Sequence, residues 1–399
     1  MIEFKTYLTE GKSSSEEKLT HLEHAEDHPL NAGAAGFDHA KKTLMGVHDA
    51  LSGKKSNVSV STKYDGSPSI VFGRHPETGK FFVASKSAFN KNPKINYSEK
   101  DIDTNHGHAP GLATKLKAAL KHLPKVTPKT GVYQGDIMHS GGKSKSNPDG
   151  DVTVHGGQAN YTPNTITYST KKPGEAAEAS SSKIGVAVHT SYHGPSFDKL
   201  KAKFNTGQQG FGTHKDVHMM DVSHDASRSK LSSADSALFQ DHLANAEEHH
   251  NALNKDSGYD AISGEHSDHL KTYINKTVKT DEVPSAQGYK AHLKDVHQKL
   301  ADKVSTPAKK AEKMSTGSNL MGHVDKNEQH FNHALAMHAY LQSAKNVLVR
   351  SLASHTDYGH TIGGKKVKPE GHVAVIGNRP TKLVDRAEFS KLNFAKNAK

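Results

Sequence analysis

Lys63 stands two residues before an Asp-Gly step in 61-STKYDGSPSIVFG-73, at the join of two runs that alternate polar and apolar side chains. A primary amine there has two readings: a surface lysine entering a hairpin, or a nucleophile. At its ordinary pKa of about 10.4 an amine is mostly protonated, so nucleophilic use demands partial burial or neighbouring cations. The short pattern does not separate the two. Residues further along bear on it. In order come Ser85-Lys86, the Gln-Gly-Asp step ending at Asp136, the run 184-IGVAVH-189, 369-PEGHV-373 with Glu370, and 381-TKLV-384 with Lys382. Bland readings stand beside each: Asp136 as a strand cap, Glu370 and Lys382 as charges on an edge strand that discourage aggregation.

These residues need strands to hold them. NVSVSTKYD, SIVFG and KFFVAS alternate with period two, and HPETG supplies turn chemistry, so three strands are expected over 57–86, the last two a hairpin. A helix is expected at 37–51, stopped by Gly53, and another at 111–123. Strands follow at 131–140, 151–155, 164–169 and 183–190, broken by the loop 171–182. From about 200 to 350 the texture is helical. Tyr289, Leu293, Val296 and Leu300 fall on one face of one helix. Phe331, Leu335, Met337, Tyr340, Leu341, Ala344 and Leu348 do the same on another. Strand texture returns at 367–386, closed by a short helix, AEFSKLNFAKN. The expected architecture is α+β, mixed antiparallel sheets with a helical insertion. It divides into an N-terminal helical segment (1–56), a core (57–199), the insertion (200–350) and the returning core strands with the C-terminal helix (351–399).

Composition narrows the classes. The 399 residues suffice for one large or two ordinary domains, and 33% apolar content with no Trp allows a modest core. No Cys excludes disulfides, thiolate metal sites and a Cys nucleophile. No run approaches the roughly 18 apolar residues of a membrane span. The opening MIEFKTYLTEGKSSSEEK has acids and no apolar stretch, so it does not read as a secretion signal. A soluble cytoplasmic protein without a membrane partner is the expectation. The net charge of +11, from 53 basic and 42 acidic residues, favours a polyanionic partner such as nucleic acid, or is a solvated charged surface. The 30 histidines are scattered without HExxH spacing, and most read as surface polar residues. His21, His24 and His28, with Glu23, Glu26 and Asp27, read as a solvated polar turn rather than a metal site. The loop 141-GGKSKSNPDG-150 lacks the ending of a P-loop and reads as a flexible connection.

Taken in order, K-Y-D-G, S-K, Q-G-D, IGVAVH, P-E-G-H-V and T-K-L-V resemble the motifs of the covalent nucleotidyltransferase superfamily of ATP-dependent ligases and capping enzymes. The likeness is to the RNA ligases above all, through the Lys-x-Asp-Gly-Ser form of the first motif. The resemblance implies a ligase-type, ATP-grasp-like fold and a lysyl-AMP at Lys63. It implies that Asp65 and Gly66 shape the turn presenting the lysine, with Asp65 toward ribose, and that Lys86 contacts ribose or a 5′-phosphate. Asp136 and Glu370 would be Mg²⁺ ligands beside ATP, and Lys382 a clamp on the α-phosphate. Nucleic acid, RNA before DNA, would be the substrate. Val384 stands where a second lysine is usual, with Arg379 or Arg386 as substitutes. IGVAVH lacks an adenine-stacking aromatic, Asp136 is one carbon shorter than the usual Glu, and no OB-like domain follows. A non-catalytic structural or nucleic-acid-binding protein keeping the fold, or a transferase acting on protein or tRNA, therefore stays open. THLEHAEDHPLNAG, TKYDGSPSIVFG and KFFVASKSAFNKNPK also resemble a group of tailed-phage proteins, which implies a phage-encoded chain acting in host cytoplasm.

Overall fold

The computed structural model describes residues 22–145, 147–204, 210–280 and 282–386. The fold is mixed α+β and divides into two compact units. A sheet unit comprises Met1–Leu22, Ser59–Asp225 and His355–Pro380. A helical unit comprises Glu23–Val58, Ala226–Ser354 and Thr381–Lys399.

In the sheet unit, the alternating runs become β1 (Val58–Lys63), β2 (Ser69–Arg74) and β3 (Phe81–Ala84), followed by β4 (Val132–His139). Next come β5 (Thr153–His155), β6 (Gln158–Tyr161), β7 (Thr167–Thr170), β8 (Ile184–His193), β9 (Lys201–Phe204) and β10 (Val217–Met220). After the helices follow β11 (Tyr358–Ile362), β12 (Lys365–Lys366), β13 (Gly371–Ile376) and β14 (Arg379–Leu383). One sheet runs β10-β8-β4-β2-β3, with β9 also on β8; a second runs β12-β11-β7-β6-β5. A third has the order β1-β13-β14, its last strand carrying the chain across the unit boundary at Pro380.

Period two decides which face each side chain takes. Ile70, Phe72, Val83, Tyr133, Ile137, Val186 and Val188 pack with Ile102, Ala113, Leu116 and Ala119 of the helices Glu99–His106 and Pro110–His122. The first helix starts on a capping box between Ser98 and Asp101, and the second has Pro110 at its first position. Val71, Phe82, Ala84, Phe89, Val132 and Tyr192 fill part of the opposite face. Ser69, Gln134 and Asp136 lie on that face as well.

The division differs from the one expected. Strands β9 and β10 extend the sheet part to residue 225, so the helical part starts at 226 and not at 200. The N-terminal helix (His28–Leu51, longer than expected and kinked at Ala32–Gly33) belongs with those helices: its Phe37 stacks on His250 at 4.0 Å. The closing helix expected at 387–397 lies outside the described residues. Among the described residues, no helix is long and apolar enough to cross a membrane.

The helical unit's core joins Phe37, Leu44, Phe239, Leu243, Phe331, Leu335, Leu341 and Leu348. On the Ala286–Asp302 helix, Leu300 is exposed, while His292 and His297 are buried beside Tyr289 and Leu293. For these histidines the expectation of a surface position is corrected. Among the described residues fourteen histidines are buried, in both units.

The polar run around residue 26 is likewise not solvated. Glu26 and Lys345 meet at 2.6 Å with both side chains fully buried. His338 lies 3.1 Å from Asp27, and Arg386 pairs with Asp27 and lies 3.5 Å from Glu26. Thr381 Oγ1 sits between His28 (3.1 Å) and His39 (3.0 Å). His21 falls outside the described residues. Removing one member of a buried ion pair strands the other, at a cost of about 3–5 kcal/mol. Lys345→Met is therefore expected to lower the urea midpoint strongly, and Glu26→Leu added to it to restore much of the loss. A single-variant loss below about 1 kcal/mol would show the pair to be solvated.

Acid should destabilise the protein earlier than carboxylates alone would make it. Burial holds His24 down to about 2 and His360 to about 4, and drives His139 and His372 well below the usual imidazole range. Each takes a proton near pH 6.5 only when unfolded, so its contribution is full at pH 7 and falls by about 2 kcal/mol by pH 5. For Glu26 and Asp27, burial pushes the carboxyls up, but Lys345 and His338 lead the groups that outweigh it and hold both at about 2. Their contribution is present above the usual carboxylate range and is lost as pH falls toward 2. Both effects have one sign, so the urea midpoint should drop between pH 7 and pH 5. A midpoint flat over that interval would contradict neutral buried imidazoles.

Candidate active site at the Lys63–Glu370 pair

Lys63 closes β1, and Glu370 immediately precedes β13. Ser59 Oγ contacts the Val375 carbonyl and Ser61 Oγ the Val373 carbonyl. The two contacts step in opposite directions along the chain, which brings Lys63 level with Gly371 and beside Glu370. Gly371 has φ 151°, a conformation open to glycine and strained for other residues. Lys63 Nζ donates to Glu370 Oε1 at 2.5 Å, with Glu370 6% exposed and Lys63 27% exposed along its side chain.

The turn after Lys63 is tied down residue by residue. The Tyr64 ring meets the rings of Tyr168 and Tyr358 edge-on, and its hydroxyl donates to the Asp221 carbonyl at 3.1 Å. Asp65 accepts from Asn164 Nδ2 at 2.8 Å and from the Thr165 N–H at 3.0 Å; its own N–H donates to the Tyr168 hydroxyl at 2.7 Å. Asp65 thus clamps the turn to the β6–β7 connection. A Cβ added to Gly66 would lie 2.4 Å from Asp136 Cβ and 2.7 Å from Met138 Sδ, so only glycine lets the turn rest on β4.

Asp136 pairs with Ser69 on β2 and Ala187 on β8, on the polar half of the large sheet. Between Gln134↔Thr190 and Gly135↔Val188 the ladder skips His189, a β-bulge. Bulges of this kind re-aim a side chain. His189 Nδ1 pairs with Thr190 Oγ1 at 2.8 Å, and its Nε2 lies 3.9 Å from Asp136 Oδ1, near enough for charge and long for a hydrogen bond. Burial pushes the Asp136 carboxyl up, but His189, Ser69 and Lys63 outweigh it and hold it below the usual range. Lys63 therefore acts on two carboxylates from one place.

Four expected site residues, Lys63, Gly66, Asp136 and Glu370, form this cluster, and Asp65 holds its turn. Lys86 is exposed and opens a 3₁₀ turn rather than lying on a strand. The pairing Val71↔Ala84 sets that turn level with Ser69, hence with Asp136 two strands away. Lys382 belongs to the helical unit, where its N–H donates to the Glu23 carbonyl at 2.8 Å. Arg386 is engaged by Asp27 and Glu26 in that unit, and Arg379 is exposed. Two residues of the sheet unit were missed. His189 ends the quoted run IGVAVH, where a polar pair, His189-Thr190, breaks the alternation that a bulge would explain. Lys115 donates to the Ser67 carbonyl at 2.9 Å, and burial pushes its ammonium down against the pull of Asp151. Nothing in the local pattern separates Lys115 from the other lysines of its helix.

Among the described residues no three His, Cys, Asp or Glu side chains gather to hold a metal. Asp136 and Glu370 offer hard oxygen donors of the kind Mg²⁺ takes when triphosphate and water complete the shell, so the donor set fits that ion. Gly66→Ala should cost about 1–3 kcal/mol by overpacking against Asp136. Gly111→Ala, where an added Cβ meets nothing within 4 Å, should be neutral or slightly stabilising. Equal urea midpoints for the two variants would refute the close seating of the turn.

No curated protein and no solved structure matches the chain. Residues 19–399 match DUF6267, a family of unknown function, and the chain belongs to that family.

Proposed function

We propose that the chain is a covalent nucleotidyltransferase of the ligase type, an ATP-dependent polynucleotide ligase with RNA as the preferred substrate. The observation that carries this reading is the 2.5 Å meeting of Lys63 and Glu370, 307 residues apart, with Asp136 packed beneath the same turn. Three residues singled out by type and order share one cluster, with the lysine side chain 27% exposed.

The chemistry follows from that arrangement. Lys63 gives one proton by way of the hydrogen-bonded Glu370 carboxylate to solvent, leaving a neutral amine and an ionised Glu370. Its nitrogen lone pair forms a bond to the α-phosphorus of ATP as the bond from that phosphorus to the bridging α–β oxygen breaks. Pyrophosphate leaves with the electron pair, and the second amine proton passes to solvent. A 5′-phosphate oxygen then displaces Lys63 from the phosphorus, and a 3′-hydroxyl displaces AMP. Asp136 and Glu370 would hold Mg²⁺, whose charge offsets the triphosphate and the transition state. Asp65 keeps the lysine presented, and Lys86, level with Asp136, is placed for the 5′-phosphate.

A second reading, a nucleic-acid-binding protein that keeps the fold without catalysis, is favoured by Lys382, whose strand is paired with Glu23 in the helical unit. Labelling separates the two. Incubation with α-³²P-ATP and Mg²⁺ should leave an acid-labile label that survives a denaturing gel, absent from Lys63→Ala and abolished by EDTA. No label with any of the four NTPs, together with an intact mass free of an extra nucleotide, would exclude the transferase.

A further inference from the structure

The outer edge of β3 carries a second feature, apart from the Lys63 cluster. Residues 94–97 lie along it: the Val83 and Asn96 backbones exchange two hydrogen bonds at 3.0 Å. Asn96 is fully buried, donates from its side chain to the Val83 carbonyl at 2.9 Å, and accepts from Asn105 at 2.9 Å. A polar side chain committed in this way holds the segment rigidly on the sheet edge. Tyr97 is thereby fixed at one end, 39% exposed. Its ring contacts those of His75 (6.2 Å between centroids) and Phe82 (6.4 Å), and His75 stacks on Phe197 at 5.2 Å. On the other face of the same hairpin the Arg74 guanidinium lies over the Phe81 ring at 5.3 Å.

Cations line the same edge. From 74 to 100 the chain has Arg74, Lys80, Lys86, Lys91, Lys94 and Lys100 against Glu77 and Glu99. Lys80, Lys86, Lys91 and Lys94 are exposed, and among the described residues none of the four pairs with a carboxylate. The nearest acids have backbone work: Glu77 accepts from the Phe197 N–H, and Asp101 from the Tyr97 and Ser98 N–H groups. The run from Phe81 to Lys86 spans about 17 Å at strand spacing. Lys86 and Lys94 mark the end level with Asp136; Tyr97, His75 and Lys80 mark the other.

We propose that this edge binds single-stranded nucleic acid, a base stacking on Tyr97 and the phosphates lying against Lys80, Lys86, Lys91 and Lys94. An exposed aromatic on a rigid support beside unpaired lysines suits an unstacked base and its backbone. An acidic peptide would use the lysines and leave the ring without a role. Binding here does not require Lys63 to be a nucleophile, so either claim can fail alone.

The test is fluorescence anisotropy of the full chain with labelled 12-nucleotide oligo(U) and oligo(dT), from 50 to 200 mM salt. Tyr97→Ala should weaken binding by about 5- to 100-fold with an unchanged salt slope, and Tyr97→Phe should retain it. Lys80→Glu with Lys94→Glu should weaken binding and flatten the slope by at least about 1.4. Lys309→Glu with Lys310→Glu, the same charge change on the exposed start of the Pro307–Lys326 helix, should have a much smaller effect. The proposal is overturned if the wild type fails to bind at 50 mM salt, if Tyr97→Ala binds like wild type, if the control pair loses as much, or if duplex of equal length binds more tightly.

Discussion

A carboxylate withdrawn from water must be met by a counter-charge or give up its own charge, and Glu370 is so withdrawn. Lys63 supplies the counter-charge, and the surrounding sheet unit can be understood as what that meeting requires. The antiparallel approach of β1 and β13 sets the two residues level. Gly371 permits the backbone conformation at the step into β13. Asp65 spends both oxygens on Asn164 and Thr165 to stop the turn from swinging.

Asp136 illustrates how closely position and chemistry are joined there. It reaches the turn only because Gly66 has no side chain, and it stays ionised because His189, Ser69 and Lys63 oppose the effect of burial. The bulge that brings His189 to it costs one ladder position in β8. A flat, regular pairing would have sent that imidazole elsewhere.

The helical unit meets burial in a different way. Glu26, Asp27, His338, Lys345 and Arg386 pair with one another away from water, and Thr381 is held between two imidazoles. Imidazole is compact and aromatic, and it packs beside Tyr289, Phe239 and Phe37 at several positions. In a chain with no Trp and modest apolar content, histidine thus fills core volume that larger hydrophobic residues would otherwise occupy. The arrangement couples stability to pH over the range in which imidazole titrates.

The sequence by itself determined strands β1 to β5, β7, β8, β13 and β14, the helices at 37–51 and 111–123, and the helical texture of the stretch before residue 350. These depend on periodicity and residue type, which are local. It misplaced Lys86 on a strand because FFVASKSAF alternates beyond the point where Ser85 caps a 3₁₀ turn. It read most of the histidines and the run around Glu26 as solvated because polarity is visible in a chain and a buried partner three hundred residues away is not. Only the tertiary structure decided that Lys345 neutralises Glu26, that the Lys382 backbone N–H donates to the Glu23 carbonyl in the helical unit, and that a bulge directs His189 to Asp136. Each is a contact between residues remote in sequence, fixed by strand register or helix packing, and no local pattern encodes those.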